Sequence, residues 1–379
     1  MKVHSKKTIV IADKLQDMGG GETVLAQICE ALNPEFVFTS TVNTKHDWKK
    51  ILGVNKIVTP FWGIFVRNRF IWFLFYPLIC FLMSRVRVSS DESIMVYSST
   101  ISKFAKIFSK KRVILYSNYP ARGIFFPQEF FKSTVILFLV RPFVAIFKLF
   151  EQRCIKKYSN IYVISEACRD AYKNMMGIES TVLNCPTDNV FYDYYDKSKN
   201  TLYSERLLIG NKPTFVLVSR LVDWKNLEYV FKYFDEQNNF NLNVVGGGPL
   251  LENYRTNYNK NCKFLGYLSV EDKIKVMDAS CGLVFPSVQE WSLVTIEANS
   301  LGLPVLGVEC GATKETQIVY SDDSIPATCF TYETPDSQSL SRAIGEFMEI
   351  KWDSSAIHEH SNKFSPIVFR KKIKNIMSN

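Results

Sequence analysis

Histidine is scarce in this 379-residue chain, with four at positions 4, 46, 358 and 360, and the nine cysteines include no CxxC pair. No Cys/His spacing suits a tetrahedral metal site, which excludes zinc modules. An odd number of scattered cysteines also excludes a disulfide framework and suits a reduced, cytosolic protein. Long uncharged runs are lacking as well. Phe70 to Met83 is interrupted by Pro77, and Thr134 to Phe150 is broken by Arg141 and Lys148. Both fall short of the roughly 20 residues that a spanning helix requires. The apolar run behind the basic N-terminus, Ile9 to Ala12, is too short for a signal-peptide core. No GxGxxG follows the first strand-like segment, which argues against nicotinamide dinucleotide chemistry.

With 47% hydrophobic and 22% charged residues, the chain can build one large or two ordinary cores, and disorder is excluded. The formal charge of +9 is unevenly spread. Residues 1 to 188 hold 26 bases and 14 acids, a net of +12, whereas the remainder holds 20 and 23, a net of −3. The two halves therefore face different partners or fields. The basic half contains both long apolar stretches, for which two readings stand side by side. One is buried core helices. The other is a face resting on lipid, because Arg67, Arg69, Arg85 and Arg87 flank the first stretch and Trp62, Trp72 and Tyr76 lie in or beside it. No nucleic-acid-binding module is recognisable among these cations.

Lys7 to Ala12 reads as a buried strand, followed by a loop ending in Gly19-Gly20-Gly21 and an amphipathic helix from Glu22 to about Leu32. That is the opening unit of a Rossmann-type layer. Strand-like runs follow at 93–97, 112–116 and 160–164. A polar, Tyr- and Asp-rich segment from Pro186 to Asn211 lacks a strand-length apolar run and reads as a linker. The alternation then starts afresh, with strands at 214–218, 242–245, 264–265, 282–285 and 305–308. Helices are expected at 226–236, 293–301, 337–349 and 366–377, with Ser269 capping another. Two tandem parallel α/β layers follow from this pattern, with ligands expected at the carboxyl ends of the strands.

Three clusters could carry chemistry. Gly19 to Gly21 leaves backbone N–H groups open to an anion or a sugar, or forms a simple turn. Arg220 and Lys225 leave one loop and could hold a diphosphate, although on their own two solvated cations explain them better. The run from Phe285 to Pro304 passes from a strand through a polar loop into a helix bearing Glu297. That carboxylate could accept hydrogen bonds from vicinal hydroxyls, or serve as a helix-end acid.

In order and spacing, Gly19-Gly20-Gly21-Glu22, Arg220 with Lys225, Val244-Val245-Gly246-Gly247-Gly248-Pro249-Leu250, Phe264-Leu265-Gly266-Tyr267 and the Gln289 to Pro304 run resemble retaining glycosyltransferases of family four. The similarity covers nearly the whole chain and is stronger in its second half. Within that group the chain is most similar to bacterial mannosyltransferase-type enzymes of lipopolysaccharide and polysaccharide assembly. Val96 to Thr100, Tyr116 to Arg122 and Val163 to Glu166 carry that part of the likeness.

The resemblance implies an α/β GT-B fold, two Rossmann-like domains facing each other across a cleft. It implies an acceptor-side domain over 1–190 and a donor-binding domain over 191–361, with a helix over about 362–379 packing back on the first. It implies a retaining hexosyltransferase that takes a nucleotide-sugar donor without a metal or other cofactor. Arg220 and Lys225 would hold the donor diphosphate, Glu297 its ribose, and Gly20, Gly21, Gly247, Leu293 and Gly311 would line the donor. Asn118 and Arg122 would lie on the acceptor side. The acceptor would be a glycan or a lipid-linked molecule, met at an anionic membrane surface by a cytoplasmic, peripheral enzyme. Two departures stand out. The first acid of the family's Glu-x7-Glu motif is Gln289 here, with Glu290 one residue out of register, and the family's usual histidine turn is Asn118-Tyr119-Pro120.

Overall fold

The computed structural model describes residues 1–16, 19–63, 75–98, 100–120, 134–158, 160–197 and 202–378, without the side chains of 134–137, 139, 140 and 143. Arg67, Arg69, Trp72 and Arg122 lie outside the described residues. The chain divides into two compact units, residues 1–186 with 367–379, and residues 187–366.

In the first unit, β1 (Lys2–Ser5), β2 (Ile9–Ala12), α1 (Gly20–Leu32), β3 (Val37–Thr39), α2 (Trp48–Leu52), β4 (Ile57–Val58) and α3 (Tyr76–Ser84) precede β5 (Arg87–Ser90) and β6 (Ile94–Tyr97). Then follow β7 (Lys106–Ser109), β8 (Val113–Ser117), α4 (Thr134–Ile155), β9 (Asn160–Val163), α5 (Glu166–Met176) and β10 (Thr181–Val182). A seven-stranded sheet runs β10-β9-β8-β6-β2-β3-β4, and a three-stranded sheet runs β1-β5-β7. All pairings are parallel. The central strands β2 and β6 are buried along their whole length, which is why they read as unbroken apolar runs rather than alternating ones.

α1 begins at Gly20, two residues before the position that the sequence suggests. Gly19 is its cap, and Gly20 and Gly21 form its first turn. The apolar stretches at 70–83 and 134–150 supply α3 and α4, which are neither wholly buried nor spanning. Ile79, Cys80 and Met83 of α3 enter the core, while Leu78 and Phe81 remain exposed. α4 carries Pro142 inside it. It is tied to the rest by Glu151, which pairs with Lys103, both completely buried. Burial, the largest single influence, pushes the Lys103 ammonium down, but the charge and hydrogen bond of Glu151 together with Tyr172 and Asp13 leave the net shift upward. No helix among the described residues is long and apolar enough to cross a membrane.

In the second unit come α6 (Asn189–Lys197), α7 (Tyr203–Arg206), β11 (Thr214–Val218), α8 (Glu228–Glu236), β12 (Asn241–Val245), α9 (Leu251–Asn257), β13 (Cys262–Gly266) and α10 (Val270–Asp278). β14 (Gly282–Phe285), α11 (Leu293–Ser300), β15 (Val305–Val308), α12 (Gly311–Thr316), β16 (Cys329–Tyr332), α13 (Ser337–Glu349) and α14 (Ser354–Ser361) complete it. Its six parallel strands run β13-β12-β11-β14-β15-β16. α15 (Pro366–Ser378) then returns to the first unit. There Phe369 and Ile373 are buried, and Arg370 reaches Gln27 Oε1 and Glu30 Oε2, each at 2.8 Å.

The segment read as a linker, 186–211, holds the boundary between the units at 186/187, but the rest of the reading is a correction. The segment forms α6 and α7, which bury Phe191, Tyr192, Tyr195, Tyr203 and Arg206 in the second unit. Aromatics at 191, 192 and 195 make one helical face, and the surrounding polar composition hides that spacing in the sequence. The Arg206 guanidinium donates to the carbonyls of Met277, Asp278 and Leu301 and to the Asp278 carboxylate, at 2.7–3.4 Å.

Candidate active site

In each large sheet the first strand in the chain, β2 or β11, lies inside the sheet, and the chain winds away from it in both directions. In open sheets of this kind the crevice that binds ligands lies at the carboxyl ends of the two strands flanking the reversal. In the second unit those strands are β11 and β14, and the loops that leave them are 219–226 and 286–292.

Why the first of these loops takes its course is visible at the Gly246-Gly247-Gly248 turn after β12. Leu221 N–H donates to Gly247 O at 2.9 Å, and Ser219 N–H to Val245 O at 3.0 Å, so the two backbones lie against each other. A Cβ at Gly246 would sit 2.0 Å from Ser219 O, and one at Gly248 would sit 2.2 Å from Leu221 O. Both glycines also have positive φ, 126° and 155°, where only glycine is unstrained. Gly246→Ala is therefore expected to cost about 1–3 kcal/mol from backbone strain alone and to push the 219–226 loop off its course. Thermal unfolding and donor titration of the variant check this, and wild-type values in both would refute it. The triple glycine of the first unit differs. Gly19 is extended at φ −166°, and a Cβ at Gly21 would make only ordinary contact with the Tyr97 hydroxyl at 3.6 Å.

Arg220 is exposed at the carboxyl end of β11. Lys225 is buried in the short 3-10 turn Asp223–Lys225, with its Nζ 4.4 Å from the Trp224 ring centre, and Trp224 is itself exposed. Ser287 Oγ donates to Lys225 O at 3.1 Å, so the loop after β14 is tied to the loop that carries both cations. Gln289 and Glu290 lie half-buried in that second loop. Gln289 O accepts from Ala312 N–H at 2.9 Å, which brings Gly311 and the start of α12 to the same edge. Leu293 opens α11, and Glu297 lies one turn further along it. The Glu297 carboxylate is half-buried and paired through Oε2 with Lys273 of α10 at 2.9 Å. Lys273 is a residue that the sequence did not single out. Its only signal is its place in the helix that follows the Phe264 to Tyr267 motif. Tyr267, exposed, lies across Gly247, so near that a Cβ there would meet its ring at 2.5 Å.

The corresponding crevice of the first unit lies between β2 and β6, and it is filled from within. The Asp13 carboxylate accepts the Ser98 hydroxyl and the N–H groups of Thr100, Ile101 and Ser102, at 2.5–3.0 Å. Three backbone donors that could have cradled a phosphate hold an internal anion instead. Asp13 was not singled out from the sequence either; an acid directly after the first strand was the available signal. Beside it, Asn118 is hydrogen-bonded to Tyr97, whose hydroxyl is near Gly21. Burial, and then Cys185, push the Tyr97 phenol well above its ordinary value, against the Asn118 bond. It stays a neutral donor and acceptor.

Three sets of sequence-derived residues thus share the carboxyl edge of the second sheet: Arg220 with Lys225, Gly247, and Gln289 to Glu297 with Gly311. Gly20, Gly21 and Asn118 share the edge of the first. Among the described residues no group of three His, Cys, Asp or Glu side chains is arranged to hold a metal ion.

This is the GT-B fold of glycosyltransferases. Over 98% of its length the chain superposes on HepE of Anabaena in complex with UDP, covering 99% of that chain at 16% identity and a TM-score of 0.66. It covers 99% of the lipopolysaccharide outer core galactosyltransferase WaaB, at 16% identity and 0.63. Sucrose-phosphate synthase of Thermosynechococcus elongatus matches at 14% identity and 0.66, over 98% of both chains. At such identities the likeness is one of fold. Residues 199–365, which lie within the second unit, match the family of Glycosyl transferases group 1. No curated protein sequence matches the chain.

Proposed function

We propose that the chain is a glycosyltransferase whose second unit binds a nucleotide-sugar and whose first unit meets the acceptor. The observation that carries this is the contrast between the two crevices. Asp13 fills the first with a carboxylate, while the second carries Arg220 and Lys225 on one loop, a pair of cations suited to a diphosphate. The group 1 match over 199–365 supports the same assignment, as do the neighbours HepE in complex with UDP and in complex with UDP-glucose. Tyr267 offers a ring face for the nucleobase and Glu297 a carboxylate for the ribose hydroxyls.

In the reaction the bond between the sugar's anomeric carbon and the diphosphate oxygen breaks, and negative charge grows on the leaving group. Arg220 and Lys225 offset that charge. An acceptor hydroxyl forms the new bond on the same face, its proton passing to the departing phosphate, so that configuration is retained. Gln289 or Glu290 orients the sugar through hydrogen bonds. The acceptor is read as a glycan or lipid-linked intermediate of bacterial surface polysaccharide or lipopolysaccharide assembly, and the enzyme as peripheral on the inner face of the membrane.

Titration of the purified protein with a panel of nucleotide-sugars, followed by mass-spectrometric search for a glycosylated acceptor, tests the reading. Glu297→Gln should weaken binding of the accepted donor about ten-fold or more, as loss of a charged hydrogen-bond partner does, and unchanged affinity would remove Glu297 from the ribose site. A second reading, a GT-B protein that binds the donor without turnover, is favoured by Gln289 and Asn118 where the family has an acid and a histidine. Saturable donor binding with no transfer to any lipid-linked acceptor would select it.

A further inference from the structure

From residue 48 to residue 150 the chain has sixteen Lys and Arg but only three acids, Asp91, Glu92 and Glu129. The fold arranges part of this excess in a row. On the three-stranded sheet, Lys2 of β1 is in register with Arg87 of β5, and Arg87 with Lys106 of β7. All three side chains are exposed. Parallel neighbours lie about 4.8 Å apart, and like charges directly opposite each other repel. None of the three pairs with an acid among the described residues. Asp91 and Glu92 lie beyond the other end of β5 and are engaged by His4, Lys110 and Lys111. Lys157, just after α4, donates to Ala105 O at 2.5 Å and is close enough to Lys106 to feel its charge.

Two apolar stripes border this row. Phe75, Leu78 and Phe81, at helical spacing along and just before α3, are exposed, and Arg85 lies over the Phe81 ring at 4.8 Å. Along α4, Phe138, Ile146 and Leu149 are 66–73% exposed, with Arg141 and Arg153 on the same helix also exposed. Both helices pack on the turn Ser102–Phe104. Phe104 stacks on Phe150 at 5.1 Å, and Tyr76 lies 5.7 Å from Phe147. β7, with Lys106, leaves that turn, and β5, with Arg87, leaves the end of α3. Exposed apolar surface on this scale marks an interaction site.

We propose that this face of the first unit, the Lys2–Arg87–Lys106 row with the α3 and α4 stripes, docks on an anionic lipid bilayer. The row supplies attraction to lipid phosphates, and the phenylalanines and leucines enter the acyl boundary. A second copy of the chain fits less well, because a symmetric contact would bring cation against cation. The proposal deepens the membrane part of the proposed function and rests on it for its purpose, but not on donor chemistry.

The test is flotation of the full chain with phosphatidylcholine vesicles, with and without phosphatidylglycerol, in the absence of donor. Binding is expected on the anionic vesicles alone and should fall as salt rises. Lys2→Gln/Arg87→Gln/Lys106→Gln should reduce it roughly a hundred-fold, and Leu78→Ser/Phe81→Ser/Ile146→Ser/Leu149→Ser should abolish it, with unfolding temperature and donor affinity unchanged. Arg220→Ala should bind vesicles like wild type, so a failed donor site and a failed docking face are told apart. Equal recovery on neutral vesicles, or insensitivity to the triple substitution, would overturn the proposal. So would inorganic phosphate releasing the protein at an ionic strength where chloride does not, which marks a discrete anion site. Concentration-dependent dimerisation lost in the Ser variant would assign the face to a second copy.

Discussion

Arg220→Ala is expected to lower kcat/KM for sugar transfer by about a hundred- to a thousand-fold, the range seen when one preorganised donor is withdrawn from developing negative charge. The side chain is exposed and its substitution leaves no buried partner unpaired, so the unfolding temperature should stay within about 2 °C of wild type. Arg220→Lys separates charge from geometry. An ammonium keeps the attraction but loses the two-pronged contact of a guanidinium, and activity should recover only in part. Lys225 requires a different control because it is buried beside Trp224. Lys225→Met keeps the stem volume while removing the charge, and a loss of rate with an unchanged melting curve would confirm an electrostatic role. Near-normal steady-state rates in both Arg220→Ala and Lys225→Met would sink the diphosphate assignment.

Arg206→Ala should strongly destabilise the second unit. The guanidinium is completely buried and satisfies the carbonyls of Met277, Asp278 and Leu301 as well as the Asp278 carboxylate. Its removal takes this donor from three carbonyls and the cationic partner from the Asp278 carboxylate, which costs about 3–5 kcal/mol. For a domain of this size that corresponds to roughly 6–20 °C in Tm. Circular dichroism melting reads the loss directly. Asp278→Asn in the Arg206→Ala background should restore part of it by neutralising the stranded carboxylate, a coupling that a simple cavity effect would lack. A melting temperature unchanged by Arg206→Ala would mean that the Arg206 contacts contribute nothing to the stability of the second unit.

The position of Arg206 illustrates where sequence reading stops. It lies in the stretch whose polar composition suggested a linker, yet its partner Leu301 is 95 residues away. Composition reports local polarity and carries no trace of that pairing. The central strands were legible for the opposite reason. IVIA at 9–12, FVL at 215–217 and VLGV at 305–308 are buried on both faces, so their chemistry is uniform along the chain. The Gly246-Gly247-Gly248 turn was legible as the close of a strand, but its close approach to the 219–226 loop was not.

For the site, the amino-acid sequence alone determined which residue types were on hand. These are two cations in one loop, a run from Gln289 to Glu297 that enters a helix, and an amide where an acid would be usual. Only the tertiary structure decided that a carboxylate occupies the edge of the first sheet, because that depends on Asp13 meeting the amides of Thr100, Ile101 and Ser102 across 87–89 residues. It also decided that Glu297 is balanced by Lys273 from another helix, and that Lys2, Arg87 and Lys106 stand side by side. Strand register and helix packing bring such groups together over long separations, and the free energy of each group depends on that company rather than on its neighbours in the chain.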